Sequence, residues 1–399
     1  MGGRGRISFI VALASLTLAA PVAHGAQSQA STIQQNGGGT STANGSAQKP
    51  TAAVSLGDSY ISGEAGRWRG NSINPAGSRD GTDRAFTGTG YDISRVYIPP
   101  SDRNGCHRSD VAEIRSAALP VQQKLNISCS GAVTKNIFRS SRGGQGQNGE
   151  RPQTDQLASI ARRKKVRLIA LSIGGNDFGF ASIVSACLQA YTTAGPPCEP
   201  RQQAAINAKK PMVRAGVAKA IDEIRATMRG AGYRRSSYRL ILQSYPSAIP
   251  RGSEIRVPEI DRNRRINVDG CPVYNSDATW ARDSVVHQIS NNLRTVAANK
   301  GVQFLDLRNL LQGREMCSVS TRLATPLRPP SPTASDWARF LNVSAVQTQG
   351  QLQETFHPNA YGQRAFGKCL SLIVGQRRNA GCRNTPGAGP GGVVLRPSG

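Results

Sequence analysis

Four short apolar runs, separated by stretches of helical periodicity, constrain what this 399-residue chain can fold into more than any other feature. Residues 52–56, 168–173, 240–242 and 302–307 are predominantly apolar, as buried strands are, and 125–129 reads as a weaker one. Between them, Val213, Val217, Ile221, Ile224 and Met228 recur at helical spacing, as do Val286, Ile289, Leu293 and Val296. Strand and helix in alternation specify an α/β fold, a parallel sheet with helices on both faces.

The flanks differ in kind. Residues 1–25 read as a secretory signal: Arg4 and Arg6 precede an apolar run over 7–20, and Ala23-His24-Gly25 is a small-residue cleavage site. Residues 26–50 are Gln, Ser, Thr, Gly and Asn with little to bury, so a disordered linker is expected. The folded domain should occupy 51–382, followed by a flexible Gly/Pro-rich tail over 383–399. No later segment is apolar for long enough to span a membrane. An exported, secreted protein is therefore expected. Its eight cysteines, Cys106, Cys129, Cys187, Cys198, Cys271, Cys317, Cys369 and Cys382, should then be oxidised, and sequential pairing would staple local turns. No CxxC pair occurs and histidines are few, so no metal site is expected.

Two connections, 61–105 and 317–353, are too long for plain turns. Ligands of α/β sheets bind at the carboxyl edge, so these loops should wall a site there. The first strand runs into Gly57-Asp58-Ser59, where a glycine permits a tight turn and Ser59 stands at the sheet edge as a candidate nucleophile, or as a helix cap. The second ends in Gly174-Gly175-Asn176-Asp177, whose glycines allow close approach and whose Asn176 amide can donate to an oxyanion. Ser128-Cys129-Ser130-Gly131 offers a further backbone donor at Gly131. For a base the chain offers His107 in a polar loop, His287 beside the apolar stripe of a helix, and His357 with Glu354 three residues upstream. His357 is the strongest candidate, because on a tight turn Glu354 can reach one ring nitrogen and leave the other for a serine.

Taken in order, Gly57-Asp58-Ser59, Gly131 after Cys129-Ser130, Gly174-Gly175-Asn176-Asp177 and His357-Pro358 resemble the four blocks of the SGNH, or GDSL-type, hydrolases, in particular their secreted actinobacterial lipase and esterase branch. The resemblance spans about residues 52–375 and implies a flavodoxin-like three-layer α/β/α sandwich with a central parallel sheet. It implies Ser59 as nucleophile, His357 as base, Glu354 as its acid, and an oxyanion hole from the Ser59 and Gly131 amides and the Asn176 side chain. The family's usual acid here is Asp, and some relatives use a backbone carbonyl instead. Tyr60 replaces the Leu of GDSL, a change expected to affect packing more than chemistry.

The expected activity is hydrolysis of an ester or lipid through an acyl-enzyme, without cofactor, by a monomer. Phospholipase and carbohydrate deacetylase are alternatives on the same site. A formal charge of +26, or +24 once Arg4 and Arg6 leave with the signal, keeps a further class open: a non-catalytic basic protein on an anionic lipid or polymer surface. Its basic clusters at 161–165 and 261–265 lack interleaved aromatics, so no specific nucleic-acid partner is expected.

Overall fold

The computed structural model describes residues 48–341 and 352–397; the expected signal and nearly all of the linker lie outside the described residues. Seven strands form one sheet: β1 (Thr51–Gly57), β2 (Gln123–Asn126), β3 (Lys165–Ser172), β4 (Arg239–Gln243), β5 (Gln303–Asp306), β6 (Ala380–Arg383) and β7 (Val394–Pro397). Their order is β2-β1-β3-β4-β5-β6-β7, parallel throughout except for the antiparallel β6–β7 pair. The four strongest apolar runs are β1, β3, β4 and β5. The weaker run overlaps β2, whose residues are all half-buried at the sheet edge.

The apolar stripe from Val213 to Met228 is completely buried on the helix Glu199–Gly230, which packs against the helices Gln153–Arg163 and Val286–Lys300. The helix Ala360–Val374 packs instead on the single turn Glu113–Ser116. The chain steps outward from β1 to β2 and then returns past β1 to β3, so the order reverses between β1 and β3. In this α/β architecture the carboxyl ends beside such a reversal form the binding crevice.

Two features depart from expectation. The chain end is not a loose tail: β7 pairs with β6, Val393 is buried, Leu395 packs on the core, and the Cys369–Cys382 disulfide ties β6 to the last helix. The 61–105 loop, nearly devoid of regular structure, carries a core of its own. Arg67 and Arg79 both pair with Asp83 at 2.7 and 2.5 Å with no exposed side-chain surface, and the Arg339 guanidinium stacks 3.6 Å from the Trp68 ring centre. The eight cysteines are joined as Cys106–Cys129, Cys187–Cys198, Cys271–Cys317 and Cys369–Cys382.

Candidate active site

The end of β1 admits only glycine. Gly57 has φ of 142°, and a Cβ there would fall 1.9 Å from the Ser172 carbonyl oxygen on β3. Asp58 then caps the one-turn helix Ser59–Ser62, accepting from the Tyr60 N–H at 3.2 Å. The turn is cross-braced from the segment just after β4: the Tyr245 hydroxyl donates to Asp58 and accepts from the Gly175 N–H at 3.1 Å, joining the two glycine segments. Burial pushes the Asp58 carboxyl up to about 7, against the opposing pull of that hydroxyl.

His357 arrives from the other end of the chain. Its Nε2 is 2.7 Å from Ser59 Oγ and its Nδ1 is 3.0 Å from the Thr355 carbonyl oxygen. A carbonyl can only accept, so Nδ1 carries the hydrogen and Nε2 is left to take the proton of Ser59. Phe356, at φ 64°, makes the turn that aims the Thr355 carbonyl back at the ring. The Tyr60 hydroxyl fixes this turn by donating to the Phe356 carbonyl at 2.8 Å, a polar role beyond the packing expected of it. Capping of the following helix falls to Asn359, whose side chain accepts from the Tyr361 and Gly362 N–H groups, and His357 is free of that duty.

Glu354 does not reach His357. Its carboxylate is completely buried, accepting from Trp68 Nε1 at 2.7 Å and from the Tyr97 hydroxyl. The longer Glu side chain leads away from the ring into the aromatic core of the 61–105 loop. The expected carboxylate contact is thus replaced by the Thr355 main-chain oxygen.

Asn176 Nδ2 donates to the Ala132 carbonyl at 3.0 Å, which orients the amide and leaves its second hydrogen available. Gly131 sits at φ 78°, and among the described residues neither its N–H nor that of Ser59 donates to another group. The Cys106–Cys129 disulfide, with Cα atoms 4.1 Å apart, ties the Gly131 loop to the one bearing His107. His107 does lie at the site: its Nδ1 is 2.9 Å from Glu64 Oε1. His287 is half-buried on its helix, and burial together with Arg308 and Arg282 pulls its imidazole down. Glu64, Thr355 and Tyr245 were not legible from any motif.

Two cavities meet at Ser59. One is narrow and apolar, walled by Phe178, Phe180, Ile183, Ile249, Val285 and Ile289. The other is wider and more polar, and includes Asn104, His107, Gln147 and Asn148. Among the described residues one group has metal-ligating atoms in reach of one another, Cys187, Cys198 and Asp277. Its thiols form a disulfide and its carboxylate accepts from the Cys198 and Glu199 N–H groups, so it is a structural brace.

Residues 55–365 match the model of the GDSL-like lipase/acylhydrolase family, and the chain belongs to that family. Its fold is the α/β fold of the SGNH hydrolases. Among solved structures it is similar to a phospholipase A1 from Streptomyces albidoflavus, at 20% identity and a TM-score of 0.47 over 82% of this chain and 99% of that one. It is also similar to an extracellular lipase from Streptomyces rimosus, at 21% identity and a TM-score of 0.44 over 82% and 100%. A carbohydrate acetylesterase from Sinorhizobium meliloti is more distant, at 11% and 0.36 over 82% and 99%. No curated protein matches the chain.

Proposed function

We propose that the chain is a secreted serine esterase or lipase that cleaves carboxylic esters through an acyl-enzyme on Ser59. The observation that carries this reading is the 2.7 Å contact of Ser59 Oγ with His357 Nε2, in a ring whose other nitrogen is held by a carbonyl. His357 Nε2 takes the Ser59 proton as Oγ attacks the ester carbon. The Ser59 and Gly131 N–H groups and Asn176 Nδ2 donate to the oxyanion of the tetrahedral adduct. The adduct collapses as His357 returns the proton to the departing alcohol. Water, deprotonated by the same nitrogen, then releases the acid and regenerates Ser59.

The apolar cavity supports an acyl chain of several carbons, because a chain entering it replaces water contact with burial among aromatic and branched side chains. The more polar cavity would then take the alcohol portion. An acetyl group would leave the apolar cavity unfilled, which weighs against the deacetylase alternative; a phospholipid ester remains within the proposal. Four disulfides support export, and among the described residues no helix is long and apolar enough to cross a membrane. The purely adhesive reading loses one cation of the 261–265 cluster, since Arg265 is completely buried and donates to Asn275 at 2.7 Å, while Arg162, Arg163 and Arg264 stay exposed. A chromogenic ester series of increasing acyl length tests the proposal. Turnover should rise from acetyl to medium chains; a maximum at acetyl would overturn the acyl-chain reading.

A further inference from the structure

The mechanism above leaves a buried acid without a role. Glu64 follows the Ser59–Ser62 helix, and its side chain is only 3% exposed. Its Oε1 meets His107 Nδ1 at 2.9 Å and its Oε2 accepts from the Ser130 hydroxyl at 2.6 Å. The same Oε2 stands 3.8 Å from His357 Nε2, the nitrogen that receives the nucleophile's proton. Behind His107 lies the Tyr97 ring, 4.8 Å away between centres, whose hydroxyl donates to Glu354. Thus the titratable groups facing Glu64 are two imidazoles, with Tyr97 and Glu354 one layer further back.

A buried carboxylate is costly unless its charge is answered by a partner. Thr355 offers His357 a dipole on the Nδ1 side and no net charge. When Ser59 gives up its proton, the positive charge of the imidazolium appears on a ring whose only carboxylate within 4.0 Å, among the described residues, is Glu64. We propose that Glu64 is a positioning residue whose carboxylate stabilises the His357 imidazolium, with His107 and Ser130 holding it in place. Glu64 neither gives nor takes the proton, which passes from Ser59 Oγ to Nε2 and on to the leaving oxygen. The carboxylate stays ionised throughout. His107 sits on the far oxygen, so the negative end of the Glu64–His107 pair faces His357. Burial pushes the Glu64 carboxyl up, but His357 and His107, with the hydrogen bonds from His107 and Ser130, outweigh it and hold the group below the usual range. For His107, the pull of burial is outweighed by its bond to Glu64 and the charges of Glu64 and Glu354, which raise the imidazole.

This inference rests on the Ser59–His357 reading, and its test is chosen to separate the two. The ring signals of His357 are followed by NMR against pH in the substrate-free protein, assigned with His357→Asn and His107→Asn. In Glu64→Gln the His357 midpoint should fall below that of the wild type, because the carboxylate 3.8 Å from Nε2 is gone and no longer favours the charged ring. The acid limb of kcat/KM should move to lower pH, and kcat should fall about tenfold with KM little changed. Glu64→Asp should recover part of the midpoint. An unchanged midpoint in a Glu64→Gln protein with wild-type melting temperature would overturn the proposal. Should Glu64→Gln not fold, His107→Gln serves: it frees Glu64 to face His357 alone and should raise the midpoint, and no rise would count equally against the proposal. A wild-type protein without ester turnover would sink the hydrolase reading, while the titration would still decide the role of Glu64.

Discussion

The strand-end edge and the long-loop wall meet at His357 and are built on different principles. Along the edge, β1 and β3 deliver Ser59 and Asn176 by tight glycine turns, one of which no other residue can make, and hydrogen bonds such as that of Asn176 to Ala132 leave donors free for a ligand. The 61–105 wall instead turns polar groups onto its own acids or onto Glu354 beside it: Arg67 and Arg79 on Asp83, Trp68 and Tyr97 on Glu354. Glu354, held by that wall, is a structural acceptor although it lies three residues from the His357 imidazole, whereas Glu64, at the start of the same loop, keeps one oxygen 3.8 Å from that ring. Function follows which groups are left unsatisfied toward the cavity, and sequence proximity is a poor guide to that.

The largest test of the edge is Ser59→Ala, which should lower kcat by more than about 10³-fold while leaving the melting temperature near wild type. Steady-state kinetics with a medium-chain ester reads this directly. Asn176→Ala should lower kcat by about 10² to 10³ with little change in KM. A mutant altered only in KM would mean that the amide binds substrate in its ground state.

The wall should behave in the opposite way. Glu354→Gln is expected to change kcat by less than about tenfold, because Thr355 still holds His357. It should destabilise the fold by about 1 to 3 kcal/mol, because a buried donor meets Trp68 or Tyr97 where an acceptor was. Thermal melting beside kinetics separates the two effects. Loss of activity with an unchanged melting temperature would erase the contrast between edge and wall.

The last test concerns pH and leaves turnover aside. Burial raises the Glu113 carboxyl to about 8. Such an acid keeps its proton in the folded state over a range where the unfolded chain releases it, so its contribution to stability falls as pH rises from about 4.5 to about 8. Glu113→Gln should remove that dependence. The melting temperature of the mutant relative to wild type should therefore increase between pH 5 and pH 8, and a constant difference would contradict the shift.

Much of the edge was readable because strands of a parallel sheet are continuous apolar runs and catalytic turns need glycine at fixed places. That is why Gly57, Ser59, Gly174 and Asn176 stood out. The helix Glu199–Gly230 was only half legible, since Pro211 lies inside it and its first turns lack a buried stripe. The C-terminal strand β7 was hidden by its glycine and proline neighbours, since its pairing comes from β6 and a disulfide. Glu64 and Tyr245 could not be found because their roles come from contacts across distant segments, such as Tyr245 with Asp58. Glu354 misled for a related reason: spacing says which residues can meet, and a better-satisfied alternative decided the outcome.

The central claim is that Ser59 is the nucleophile and His357 its base. It is tested most directly by labelling the protein with a serine-directed phosphonate and locating the adduct by peptide mass spectrometry. One adduct per chain is expected, on Ser59, formed far more slowly in His357→Ala. An adduct on another serine, or labelling of His357→Ala at the wild-type rate, would contradict it.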